Sequence, residues 1–191
     1  MVEDKIVRCA WLTKDPIYIK YHDEEWGRPE YNSHRLFEML CLEGQQAGLS
    51  WITILKKRKS YRQLFFEFNP YEVAKLQDEN VVNLSQMSSL VKHKSKIESI
   101  VNNAKCYIKM EEEGEDFSKF IWSFVNYKPI VNRWKTNDQV PSQTLTSATL
   151  SSRLKAKGFK YVGPTTCYAF MQACGLVNDH LTTCISYKKY T

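Results

Sequence analysis

The sequence predicts an all-α fold, and three observations carry that expectation. Helix start and stop signals recur along the chain, alternating β-branched runs and Asn-Gly or Asp-Gly hairpin signals are scarce, and apolar residues return at helical spacing in the longest segments. At 191 residues the chain is long enough for one good core, or for a core with a small appendage. It contains no repeats or low-complexity tracts.

The first helix with clear punctuation opens at Ser33, which can cap it, and closes at Gly48. Leu36, Leu40, Glu43 and Ala47 fall at i, i+4, i+7 and i+11 and so share one face, while Met39 and Leu42 cover other sides. Such a helix is apolar nearly all round and reads as central. Ser50 caps a second helix beginning at Trp51. Asn69, Pro70 and Glu72 take the N-cap, N1 and N3 places of another start, a capping-box arrangement with proline where its missing N–H is harmless. From Lys96, the residues Ile97, Ile100, Val101, Ala104 and Ile108 trace a stripe that ends before Gly114. Further helices are expected over Phe117–Phe124, over Leu150–Lys157 before Gly158, and over Pro164–Cys174 before Gly175. Residues 127–143, with two prolines and several Asn and Asp, read as an ordered loop.

Glu43 is the anomaly in this pattern. An ionised carboxylate on an apolar stripe costs several kcal/mol unless something pairs with it. It is either kept for a chemical task or held structurally by backbone amides, and the spacing leaves both open.

Lysine and arginine (27) exceed aspartate and glutamate (21) by six, which suits a polyanionic partner without demanding one. Five tryptophans and eleven tyrosines accompany that charge. Aromatics beside cations can stack bases while lysines hold phosphates, although most aromatics serve the core. The opening MVEDKIVR has acidic residues and lacks an apolar signal core, and no stretch approaches the roughly 18 apolar residues of a membrane span. A cytoplasmic protein is expected, its six cysteines reduced. Cys41, Cys106, Cys167 and Cys174 sit in apolar helical contexts and read as core.

Cys9 and His22 near one end, with His180 and Cys184 near the other, match the donor set of a closed tetrahedral zinc site. His180 and Cys184 are one helical turn apart and can face one ion. The separation of the two pairs is unlike a zinc finger, and four scattered soft residues with no metal are the alternative.

Longer motifs then come together: RCAW, DPIYIKYHDEEWG, FEMLCLEGQQAGLSWITILKKR, FIWSFVN and GFKYVGPTTCYAFMQACGLVNDH. Nearly end to end, the chain resembles the 3-methyladenine DNA glycosylase I family, the constitutive alkylation-repair glycosylases of bacteria. The resemblance implies an all-α helix-hairpin-helix glycosylase fold with a small zinc-binding element formed by both termini. It divides the single unit 1–191 into a terminal element, residues 1–32 with 164–191, and a helical core, residues 33–163. One structural Zn2+ falls on Cys9, His22, His180 and Cys184. The base pocket maps onto Glu43, Tyr21 and Trp51, with Trp11, Tyr18 and Trp26 nearby.

The activity so implied is monofunctional hydrolysis of the N-glycosidic bond of 3-methyladenine flipped from duplex DNA, releasing the free base, by a monomer and without a membrane partner. Glu43 would select the base and face it as it leaves. Lys92, His93, Lys94 and Lys96 occupy the family's hairpin position, where amides and cations can grip a phosphate, unless they form only a solvated basic turn. Ser89 and Ser95 stand there where glycine is usual. Leu49, after Gly48, either projects as an apolar wedge into the gap left by the flipped base or packs back on its own helix. The run Lys56–Lys59 either adds phosphate affinity or is a solvated helix end. Two rival functions are a zinc-stabilised lesion-binding module without catalysis and a metallohydrolase whose Cys/His cluster activates water.

Overall fold

The computed structural model describes residues 6–190; residues 1–5, which carry the acidic residues of the opening, and residue 191 lie outside it. The described residues form nine α-helices and one minimal sheet, with short 3-10 turns between them. Helix α1 (Pro16–Glu24) opens with the Asp15 carboxylate accepting from the Ile17 amide at 3.1 Å and with proline at N1. Helix α2 (Ser33–Gln46) is capped by Asn32, one residue before the expected Ser33: the Asn32 side chain accepts from the Arg35 amide at 3.0 Å. Its stripe ends at Glu43, because Ala47 lies past the last helical turn and is exposed.

Helix α3 (Trp51–Leu64) starts after Ser50 as expected, but the Ser50 hydroxyl engages Thr53 Oγ1 at 2.8 Å rather than an amide. Asn69 caps α4 (Pro70–Val73), while Glu72 pairs with Lys75 at 2.7 Å and forms no reciprocal box. Helices α5 (Asp78–Gln86) and α6 (Lys94–Glu112) flank the turn 87–93, and α7 (Phe117–Ser123) follows. Helix α8 (Leu145–Ala156) begins well before the expected Leu150, since Thr144 is the cap and accepts from the Ser147 amide at 3.2 Å. Helix α9 (Pro164–Ala173) is as expected. Inside the predicted loop, β1 (Ile130–Val131) pairs in parallel with β2 (Val177–Asn178), Ile130 opposite Val177.

The core gathers around α2, which buries Leu36, Phe37, Leu40, Cys41, Leu42 and Glu43 and packs against α3, α6, α7 and α9. A helix buried on nearly every side is what its all-round apolar sequence requires. The N- and C-terminal segments of the described residues meet. Gly27 donates to the Gln172 carbonyl at 3.1 Å, Glu30 to Cys174 at 3.0 Å, and Ile185 to Val7 at 2.9 Å. Gly175 makes this approach possible: its φ is +68°, and a Cβ there would lie 2.4 Å from backbone atoms of Arg28 and Pro29.

Candidate functional site

The N-terminal segment lays an aromatic wall over the C-terminal part of α2. Trp11 packs against Tyr18 and Trp26 with ring centroids 5.1 and 5.0 Å apart, and Tyr21 packs against Trp51 at 5.4 Å. These five rings and Glu43 line one cavity of about 270 Å³, at the small end for a ligand pocket. Tyr18 and Tyr21 come from α1, Trp51 from the first turn of α3, and Glu43 from the last turns of α2.

Glu43 is 4 % exposed, and its Oε2 finds no hydrogen-bond partner among the described residues. Held by backbone amides it is not; that alternative required a satisfied oxygen. Desolvation pushes its pKa from 4.5 to about 8. The indole Nε1 of Trp51 is likewise buried and unpartnered. An acceptor and a donor thus wait in an aromatic cavity, which can hold a flat heterocycle that offers the complementary pair and tolerates positive charge on its faces.

Sequence reasoning passed over Asp179, which also lines the cavity. Its Oδ1 accepts from Asn132 Nδ2 at 2.7 Å and Trp134 Nε1 at 2.8 Å, and its Oδ2 from the Tyr168 hydroxyl at 2.5 Å and Gln172 Nε2 at 2.9 Å. Four donors stabilise this buried carboxylate, so it fixes the wall rather than waiting for a ligand. Only the segment NDH close to a candidate metal ligand hinted at it.

Cys9, His22, His180 and Cys184 converge, their ligand atoms all within 4.8 Å of one another and all four residues buried. His22 donates through Nδ1 to Asp23 at 2.7 Å, and His180 donates through Nε2 to the Trp26 carbonyl at 3.0 Å. Each bond leaves the other ring nitrogen for the cluster, His180 Nδ1 lying 3.6 Å from both sulfurs and His22 Nε2 3.4 Å from Cys184 Sγ, the arrangement that orients metal-binding histidines. Arg8 in turn holds Asp23 through paired bonds. The Cys184 thiol is pulled far below its ordinary pKa, first by its hydrogen bond with Cys9 and then by the two histidines. This donor set could hold a metal ion.

On the outer face, Leu49 is 41 % exposed. Lys92, His93 and Lys94 are exposed at the start of α6. No residue of turn 87–93 has positive φ, so serine at 89 is sterically tolerated where glycine is usual. The Ser95 hydroxyl lies 2.6 Å from that of Tyr161. Lys96 corrects the sequence reading: it is 6 % exposed, not a free surface cation, and its ammonium donates to the Gln45 and Ala47 carbonyls. Most of the run 56–59 is also engaged within the protein. Lys56 pairs with Asp15, Lys57 donates to the Ser88 carbonyl, and Arg58 forms a two-bond pair with Glu25.

A family model described as methyladenine glycosylase matches residues 11–187. The chain is 54 % identical over 180 residues to DNA-3-methyladenine glycosylase 1 of Escherichia coli K12, covering 94 % of this chain and 96 % of that protein. It resembles the crystal structure of a 3-methyladenine DNA glycosylase I with a TM-score of 0.93 at 52 % identity, covering 94 % of this chain and 98 % of that one. A variant of 3-methyladenine DNA glycosylase I solved in complex with 3-methyladenine gives a TM-score of 0.91 at 43 % identity, over 94 % of this chain and 97 % of that one.

Proposed function

From the premise that this chain belongs to the methyladenine glycosylase family, we propose how its cavity performs the reaction. The protein is a DNA-3-methyladenine glycosylase, an enzyme of alkylated-DNA repair. The observation that carries the reading of the site is Glu43, a buried carboxylate with an unpartnered oxygen inside an aromatic cavity. Adenine presents an exocyclic N–H donor where guanine presents a carbonyl, so Glu43 accepts from the first and repels the second.

Alkylation at N3 makes the base cationic while it is attached to the sugar, and the faces of Trp11, Tyr18, Tyr21, Trp26 and Trp51 attract such a cation by about 0.5–2 kcal/mol each. The nucleotide is turned out of the duplex to reach them, with Leu49 entering the gap from the turn made by Gly48, and with Lys92, His93 and Lys94 on the phosphates. The C1′–N9 bond breaks with its electron pair going to the base, which departs neutral. Water supplies the new C1′–O bond and gives its proton to solvent. A leaving group so good needs no strong general acid, so positioning supplies much of the rate.

Zn2+ fits the buried two-cysteine, two-histidine cluster. Cys9, His22, His180 and Cys184 would be its four ligands, and its contribution would be structural, fixing the termini that carry the aromatic wall. The same reading makes the enzyme a cytoplasmic monomer acting on double-stranded DNA. Among the described residues no helix is long and apolar enough to cross a membrane. The test is release of free 3-methyladenine from methylated duplex DNA by zinc-loaded protein. Lesion binding without base release would replace this reading with a silent recognition module.

A further inference from the structure

Lys96 is the one lysine buried among the described residues. Its ammonium donates to the carbonyls of Gln45 at 2.9 Å and Ala47 at 2.5 Å, at the end of α2 where carbonyls lack helical partners. No carboxylate within the described residues pairs with it; the half-negative helix end is its counter-charge. The interaction is reciprocal. Gln45 Nε2 donates to the Lys96 carbonyl at 2.7 Å, the Tyr61 hydroxyl donates to Gln45 Oε1 at 3.1 Å, and that hydroxyl accepts from the Val91 amide at 3.2 Å.

A continuous chain of bonds therefore runs from the turn 87–93, through Tyr61, Gln45 and Lys96, to Ala47, the residue before Gly48 and Leu49. Beyond Ala47 little else steadies this corner. A Cβ at Gly48 would meet nothing within 4 Å, and Leu49 is held by a single backbone bond to Gln46 at 2.6 Å. We propose that Lys96 is a positioning residue: its ammonium locks the Ala47–Leu49 corner to the start of α6, so that the apolar wedge and the phosphate-gripping turn enter DNA as one rigid piece. Basic charge at this position thus serves the wedge from inside the protein rather than a phosphate from outside. The inference rests on the reading of Leu49 as wedge.

Three measurements on Lys96→Met, Lys96→Arg, Leu49→Ala and the Leu49→Ala/Lys96→Met double variant decide it. They are single-turnover excision from a duplex with one 3-methyladenine, stack opening reported by 2-aminopurine beside an abasic site, and binding of free 3-methyladenine followed by tryptophan fluorescence. Lys96→Met should slow excision about ten- to a hundredfold and weaken stack opening, since small misplacements have effects of that size. Free-base affinity should stay within about twofold, Lys96→Arg should recover most of the loss, and Lys96→Met should add less than about twofold in the Leu49→Ala background, the sign of two residues acting through one feature. Free-base affinity falling in step with excision, losses that multiply in the double variant, or no loss at all would each overturn the proposal. Wild-type excision by Leu49→Ala alone would instead remove the wedge reading beneath it. Should Lys96→Met not fold, Lys96→Gln, uncharged and too short to reach both carbonyls, takes its place in the same measurements, and wild-type excision by that variant overturns the proposal as well.

Discussion

A carboxyl group that titrates near 8 instead of 4.5 is largely protonated at neutral pH while the cavity has no cation to offer it. A base carrying positive charge supplies the missing partner and favours the ionised form. The kcat/KM for excision should therefore rise with pH up to about 8, because that ratio reports the free enzyme's groups. Glu43→Gln should lose this limb. It should also excise about 10- to 100-fold more slowly, the value of one charge-assisted hydrogen bond, with duplex binding little changed. Stability follows the same titration. The folded pKa lies above the unfolded one, so the unfolded chain releases its proton first, and the native state loses stability as pH rises between 4.5 and about 8, by up to about 1.4 kcal/mol per unit. Thermal melts of Glu43→Gln should match those of the parent protein below pH 4.5 and exceed them increasingly above it. Parallel melts across that range would mean that the carboxylate is not desolvated as its burial implies.

At the scale of elements, the turn 87–93 and the first residues of α6 present Lys92, His93 and Lys94 to solvent. If these cations grip phosphates, the Lys92→Ala/Lys94→Ala double variant should lower the slope of log affinity against log salt by about one for each phosphate released. Free 3-methyladenine binding should be unaffected, and an unchanged slope would leave a merely solvated turn. The hairpin also shows where sequence reading works and where it stops. Helices α2, α3, α6 and α9 carry long apolar stripes or firm punctuation, and they are legible from the sequence. Helix α1 has Asp15 and Pro16 as a start signal but buries only Tyr18, Tyr21 and His22, and short α5 offers little more than Val81 and Leu84. Neither has enough periodicity to stand out. Glu43 is legible because one helix sets its face. Lys96 and Asp179 are not: a lysine in KHKSK reads as solvated until α2 is laid over it, and Asp179 takes its meaning from donors spread over residues 132, 134, 168 and 172.

At the scale of the whole molecule, the N- and C-terminal segments of the described residues pack together, and the pocket depends on that contact. Trp11, Tyr18, Tyr21 and Trp26 belong to the segment that holds Cys9 and His22, while Asp179 in the opposite wall immediately precedes His180. A Cβ added at Gly27, where φ is +78°, would sit 2.9 Å from the His180 ring, so the wall and the cluster touch directly as well as being sequential neighbours. If the cluster holds the proposed Zn2+, withdrawing that ion or one of its ligands should therefore loosen the base pocket while leaving the helical core around α2 folded. Cys184→Ser, or chelation of the parent protein, should lower the melting midpoint by roughly 10–20 °C if the ion contributes on the order of 5 kcal/mol. Free-base affinity should fall together with zinc content, whereas circular dichroism at 222 nm should change little below the new midpoint. A metal that instead activated water would leave base affinity intact when removed and abolish only turnover. That pattern would transfer the cluster from the architecture of the pocket to the chemistry of the bond.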